Sequence, residues 1–198
     1  MKVAMRLLFP IVIHEFEVTG FQKIQDELTN FIYKENRRDR KGMVRSNKLG
    51  WHSRDFLPNE NNILTSTIKN EVSRYFSMNR ILKEGTRLTF RNMWVNINKK
   101  GCYNRDHIHP GSDLSGVFYI KTPKNCGNIE FTSPHQYIQN SELECYSDEI
   151  QKECNFYNVY WMEPLEGTII MFPSHIQHGV DMNESRQDRI SASFNLKL

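Results

Sequence analysis

The hydrophobic period of this chain changes once, near residue 86, and that change restricts the folds open to it. Before it, Phe21, Ile24, Leu28, Phe31 and Ile32 recur at three- and four-residue spacing, with Lys23, Asp26 and Glu27 on the polar side. That pattern predicts an amphipathic helix, and Thr19-Gly20-Phe21-Gln22 has the form of a capping box at its start. Leu64, Ile68, Val72, Tyr75 and Phe76 predict a second helix. After residue 86 the period is two: Leu88, Phe90, Asn92, Trp94 and Asn96 alternate with Thr89, Arg91, Met93, Val95 and Ile97. Further strands are predicted at 115–121, 128–131, 158–163, 168–172 and 189–196, and a first strand in the segment Leu7–Ile13. Helices followed by antiparallel strands imply a mainly β, α+β domain, a barrel or sandwich supported by N-terminal helices.

A length of 198 residues suits a single domain, with 1–85 as the supporting region and 86–198 as the β core. Residues 133–157 interrupt the strand rhythm with a polar insertion, which reads as a lid or binding loop. The net charge of +3 is too mild for a nucleic-acid binder, and Arg37-Arg38-Asp39-Arg40-Lys41 reads as a solvated loop. No apolar run approaches membrane-spanning length, and the opening apolar segment is broken by Pro10 and lacks a small-residue cleavage site. A cytoplasmic protein is expected. Cys102, Cys126, Cys145 and Cys154 form no C-x-x-C pair, which predicts reduced thiols rather than a zinc knuckle or redox motif.

Two elements carry the chemistry. His107-Ile108-His109-Pro110 places two histidines one residue apart, and on a strand such residues share a face. Pro173-Ser174-His175-Ile176-Gln177-His178 offers a third nitrogen ligand from a distant strand, which suffices for one side of a metal ion. His178, expected to begin a strand with Gly179 and Val180, is favoured over His175, which reads as an outer or surface residue. Arg189, Ser191 and Ser193 then alternate on one face of the last strand. A buried arginine beside a metal requires an anion, and a carboxylate suits its fork. The competing interpretation is a surface arginine paired with Asp181 or Asp188.

With these elements, and with Leu8-Phe9-Pro10, Ser46-Asn47, Gly50-Trp51-His52-Ser53, Trp94-Val95-Asn96, the segments 107–112 and 114–119, Phe172-Pro173-Ser174 and Asn195, the chain resembles the 2-oxoglutarate/Fe(II)-dependent oxygenases. It is most similar to an uncharacterised bacterial and phage group within them. The resemblance implies a double-stranded β-helix (jelly-roll, cupin-like) core, Fe(II), 2-oxoglutarate as co-substrate, O2, and ascorbate as an accessory reductant. It implies hydroxylation of a small-molecule or peptidyl substrate with release of succinate and CO2. His107 and His178 take the places of the family's two histidines. Arg189 is expected to grip the far carboxylate of 2-oxoglutarate, with Ser191 and Tyr119 adding hydroxyl contacts, while Asn96 and Trp94 line the pocket.

One position departs from the pattern. His109 stands where the superfamily has Asp or Glu, so three neutral imidazoles would leave the dianionic co-substrate to balance the metal's charge. Asp113, four residues on, is the alternative third ligand; Gly101, His107, His109 and Asp113 also loosely follow a cupin pattern. A non-catalytic cupin-like metal- or ligand-binding protein is the competing function, and a closed zinc site with His175 as fourth ligand is a third. Substrate identity and oligomeric state are not encoded legibly.

Overall fold

A computed structural model of the chain describes residues 9–135 and 145–198. Strand β1 (His14–Glu17) leads into helix α1 (Phe21–Arg38), the short strands β2 (Asn47–Lys48) and β3 (Trp51–His52), and helix α2 (Ile63–Met78). The β core follows as β4 (Thr89–Asn98), β5 (Tyr103–His107), β6 (Leu114–Lys121) and β7 (Ile129–Thr132). After α3 (Asp148–Cys154) come β8 (Val159–Met162), β9 (Thr168–Pro173), β10 (His178–Val180) and β11 (Arg189–Lys197).

The last eight strands pair as β4 with β11, β5 with β10, β6 with β9 and β7 with β8, all antiparallel. This is one long hairpin rolled up, with alternate rungs assigned to two sheets. The larger sheet has the order β1-β9-β6-β11-β4-β3 and the smaller β2-β5-β10-β7-β8. The result is the double-stranded β-helix expected from the sequence.

The pleat explains why the larger sheet is buried on both faces. Met93, Val95 and Ile97 of β4 and Ile190, Ala192, Phe194 and Leu196 of β11 join one core with Leu28, Ile32, Leu64, Ile68, Val72 and Phe76 of the two helices. The alternate residues face between the sheets. There Val117, Tyr119, Ile170 and Phe172 pack with Phe131 and Ile176, forming a second apolar cluster at the β9 side. Toward β4 the same interior is polar, with Asn96, Asn98 and Ser191 all buried.

Local details differ from expectation at several places, one being that Arg37 and Arg38, expected in a loop, form the last turn of α1. The first strand starts at His14 rather than in 7–13: residues 9–13 carry no strand, Pro10 cannot donate to a ladder, and residues 1–8 lie outside the described part. Helix α1 is not capped by a Thr19–Gln22 box, because Gly20 is the N-cap in a left-handed conformation and Thr19 Oγ1 instead donates to Glu71. The genuine capping box is at α2, where Asn62 Oδ1 accepts from Thr65 N (3.0 Å) and Thr65 Oγ1 accepts from Asn62 N (3.3 Å). Of the insertion at 133–157, residues 136–144 lie outside the described part; the remainder contains α3. Among the described residues no helix is long and apolar enough to cross a membrane.

Gly116 lies opposite Phe194 in the β6–β11 ladder, and a Cβ there would overlap the Phe194 ring, which is fully buried. Gly116→Ala should therefore destabilise the fold by about 1–3 kcal/mol. Chemical denaturation checks this, and an unchanged midpoint would contradict the packing.

Candidate active site

His107 ends β5 and His178 begins β10, and the two residues are direct partners across that ladder. His109 follows the end of β5 instead of sharing the strand, because Ser174 O accepts its backbone N–H at 2.9 Å and draws the chain toward the β9–β10 turn. The three side chains nevertheless converge: one ligand atom from each lies within 4.8 Å of the others.

Second contacts orient two of the rings. The Nδ1 atoms of His107 and His178 lie 2.8 and 2.9 Å from Arg105 O and Ile176 O, carbonyls two residues earlier in the chain. A carbonyl only accepts, so each Nδ1 carries the proton and each Nε2 keeps its lone pair for a ligand. His178 Nε2 is 3.2 Å from His109 Nε2. Two imidazole nitrogens at ~2.1 Å and right angles on one metal stand about 3.0 Å apart, so this spacing suits a shared ion. The donor set fits a divalent transition metal with positions left open.

Trp94 closes one side of the group. Its ring is 5.5 Å from that of His109 and stacks on His52 at 5.6 Å and 6°. Burial is the main reason all three imidazoles stay neutral: desolvation lowers His107, holds His109 at about 4 with help from the charges of His107 and Arg45, and holds His178 at about 3.

The triad opens into a cavity of about 810 Å³ whose wall also includes Tyr119, Arg189 and Ser191. Arg189 starts β11 and is 2 % exposed. Neither expected carboxylate partner meets it. Asp188 accepts from Tyr33 Oη at 2.8 Å, and Asp181 offers only its backbone carbonyl. Arg189 Nη1 donates to that carbonyl and to those of Cys126 and Gly127, three acceptors gathered by the crossing of two loops. Gly127, at φ +88, permits this crossing, since a Cβ would lie 2.5 Å from Asp181 O. Asn183, fully buried, braces the same corner by donating to Asn98 O at 2.7 Å and Gln187 O at 2.9 Å. Desolvation lowers Arg189 from its ordinary value, and among the described residues it forms no ion pair.

Beside it, Tyr119 pairs with Ser191 across β6–β11, and Ser191 with Asn96 across β11–β4. Tyr119 Oη and Asn96 Oδ1 are buried without a hydrogen-bond partner. A guanidinium without a carboxylate and an unpartnered phenol on adjoining positions form a receptor for an anion.

Asp113 is not brought to the histidines. It precedes β6, and its carboxylate accepts from Lys197 Nζ (2.9 Å) and the backbone N–H of Leu198 (2.8 Å), which holds it at the surface. His175 is exposed and outside the converging group, and Gly101 is half-buried in a turn at φ +84. The cavity wall contains residues to which sequence reasoning gave no role, notably Arg45, His52, Asp55 and Asn92. Two-residue strands such as β2 and β3 leave no periodic signal, so only their pairing with β5 and β4 reveals them.

The folded pKa values of His109 and His178 lie below the usual 6.5, so on acidification the unfolded chain takes up protons first. Their contribution to stability is complete above 6.5 and is lost as pH falls toward about 4 and about 3. Metal-free protein should lose up to about 1.4 kcal/mol per pH unit for each histidine in that window. Denaturant unfolding at a series of pH values checks this. The His109→Gln/His178→Gln double variant should flatten the slope, and a slope shared by both proteins would contradict the assignment.

A family model described as "Putative 2OG-Fe(II) oxygenase" matches residues 92–195, more than half of the chain. Among curated proteins none matches the sequence. Solved structures share the fold at low identity. A Pseudomonas putida prolyl-4-hydroxylase is 12% identical with a TM-score of 0.62, covering 93% of this chain and 91% of its own. The viral collagen prolyl hydroxylase of Paramecium Bursaria Chlorella virus-1, as its 2-oxoglutarate complex, is 15% identical with a TM-score of 0.58, covering 94% and 96%. The non-heme alpha ketoglutarate dependent carbocyclase SnoK of nogalamycin biosynthesis is 8% identical with a TM-score of 0.66, covering 93% and 78%. With the family model spanning β4 to β11, which supply all three histidines and Arg189, the chain belongs to the 2OG-Fe(II) oxygenase family.

Proposed function

We propose that this protein is a 2-oxoglutarate- and Fe(II)-dependent dioxygenase in which His107, His109 and His178 hold the metal. In the same reading Arg189, Tyr119 and Ser191 hold the far carboxylate of 2-oxoglutarate, and hydroxylation of a small-molecule or peptidyl substrate is the outcome. The observation that carries it is the buried Arg189 without a carboxylate partner, beside the unpartnered Tyr119 hydroxyl and in one cavity with three converging imidazoles. A closed zinc site or a plain metal-binding barrel has no use for such a receptor.

Iron with 2-oxoglutarate supplies the oxidising chemistry, converting O2 and the co-substrate to CO2 and succinate as an oxygen atom enters the substrate. The protein's own contribution is placement. Arg189 is held by three carbonyls on one side, so the rest of its fork is directed without further reorganisation. The Tyr119 hydroxyl donates to a carboxylate; burial raises its pKa, so it stays protonated across the physiological range. Val117, Ile170 and Phe172 form a dry wall behind it, where these polar contacts are strong and water is excluded. Asn96, buried beside Ser191, offers its unpartnered oxygen to the same pocket.

Anaerobic addition of Fe(II) and 2-oxoglutarate should produce the weak visible charge-transfer band of the chelate, and folded protein that lacks the band and forms no succinate in air would sink the reading. Tyr119→Phe keeps the packing and removes one donor. It should weaken 2-oxoglutarate binding by about 1.5–3 kcal/mol while metal retention is unchanged.

His109→Ala should lower iron affinity on the order of a hundredfold or more, since even outer-sphere partners of a ligand are worth 10–100-fold. Asp113→Ala should leave iron affinity unaltered. Equilibrium dialysis of both variants decides the third ligand, and the opposite ranking would transfer that role to Asp113.

A further inference from the structure

We propose that the open end of the cavity binds an oxyanionic group of the substrate, a phosphate or a carboxylate, between Arg45, Arg105 and their cationic neighbours; this rests on the oxygenase reading. The fixed charges on the cavity wall are unbalanced. Besides Arg189 it carries Arg45, Lys48, Arg91 and Arg105 against only Asp55 and Asp106. Asp106 is turned aside: its Oδ2 accepts from Gln177 at 3.1 Å, and its Oδ1 faces Glu130 across the space above Gly179. Among the described residues Lys48, Arg91 and Arg105 form no ion pair, and Arg91 donates only to the backbone carbonyl of Gly111.

Arg45 is the anchored member. Its Nη2 lies 3.4 Å from Asp55 Oδ2, which also accepts from Asn92 Nδ2 at 3.0 Å. Asn92 Oδ1 accepts from Asn195 Nδ2 at 3.0 Å, and Asn195 Oδ1 from Ser115 Oγ at 2.8 Å. A chain of polar contacts thus runs from the buried sheet to the mouth and sets Arg45 over it, with Asp55 Oδ1 buried and unpartnered at its end.

The sheet separates this end from the co-substrate receptor. On β11 the cavity-facing residues run Arg189, Ser191, Ser193, Asn195, which places the Asn92–Asn195 rung, reached by Arg45 through Asp55, about 20 Å from Arg189 at ~3.3 Å per residue, while Arg105 stands on β5 next to Asn104 and reaches toward the mouth from the side. A five-carbon dicarboxylate held by Arg189 is far shorter than that. Arg45 is therefore left to another anion, in the same cavity as the metal triad. A cleft lined by one sign of charge focuses the field on such a ligand.

The test uses the full chain loaded with Mn(II) and saturating 2-oxoglutarate. Four N-acetylated, C-amidated probes are compared, phosphoserine, glutamate, glutamine and lysine, by the relaxation that bound Mn(II) imparts to their protons. The two anionic probes should be relaxed about tenfold more strongly than the other two, and less so as salt rises. The ranking of phosphoserine against glutamate identifies which oxyanion fits. Arg45→Ala/Arg105→Ala should abolish the preference and Arg45→Lys/Arg105→Lys should retain it. Indifference to probe charge overturns the proposal, and so does a loss of 2-oxoglutarate affinity in the alanine variant equal to its loss of probe relaxation. Failure of the unmodified protein to bind 2-oxoglutarate, read in a separate titration, overturns the oxygenase reading and this assignment with it.

Discussion

The pleat of β11 carries most of this structure. Its even-numbered residues Ile190, Ala192, Phe194 and Leu196 enter the core under the two helices, while Arg189, Ser191 and Asn195 are buried on the opposite face, toward the cavity. Because the side-chain period is two, a slip of one residue would put four apolar side chains into the cavity and a guanidinium under the helices. Register is therefore specified by both faces at once. The pairing Arg189–Asn98, Ser191–Asn96, Ser193–Trp94 and Asn195–Asn92 transmits it to β4. What reads as a strand with two alternating sets of residues is a stability element and a binding surface in one.

This double use accounts for what was legible in the sequence. The helices, the period-two strands and the position of His178 at a strand start follow from periodicity and turn residues, and the structure has them near the expected places. The relation of His107 to His109 was less legible. The strand interpretation assumes that pairing continues through both, whereas Ser174 takes the His109 N–H and ends it. Asp113 could not be excluded from composition alone, because its removal depends on Lys197 and the Leu198 N–H, more than eighty residues away. Arg45, Asp55 and Asn92 were invisible for a related reason. Their contacts join strands and loops that share no periodic pattern, and only the sheet order brings them together.

Arg189 and His178 are both buried in this fold. Removing charges from water is unfavourable unless partners compensate, and the two kinds of side chain answer that in different ways. The imidazoles become neutral, because desolvation lowers all three, His109 to about 4 and His178 to about 3. Arg189 cannot do so within any accessible range, and three carbonyl dipoles satisfy only one of its nitrogens. The fold thus concentrates one uncompensated positive charge beside three lone pairs, each a feature of recognition more than of stability.

With His109 as the proposed third ligand in place of a carboxylate, this imbalance is extended. With a carboxylate ligand, a divalent metal would be half neutralised by the protein itself; with three imidazoles it is not neutralised at all. The wall then adds four further cations at the mouth, one of them, Arg45, partly answered by Asp55. In the proposed site a dianionic co-substrate engaged by Arg189 would offset the metal's charge and leave the mouth positive. A neutral or cationic substrate would enter against that field, while an anionic one would be drawn toward it and would complete the charge balance of the cavity. In the proposed reading the absent carboxylate ligand and the arginine-rich mouth act in the same direction, both leaving positive charge for anions to balance.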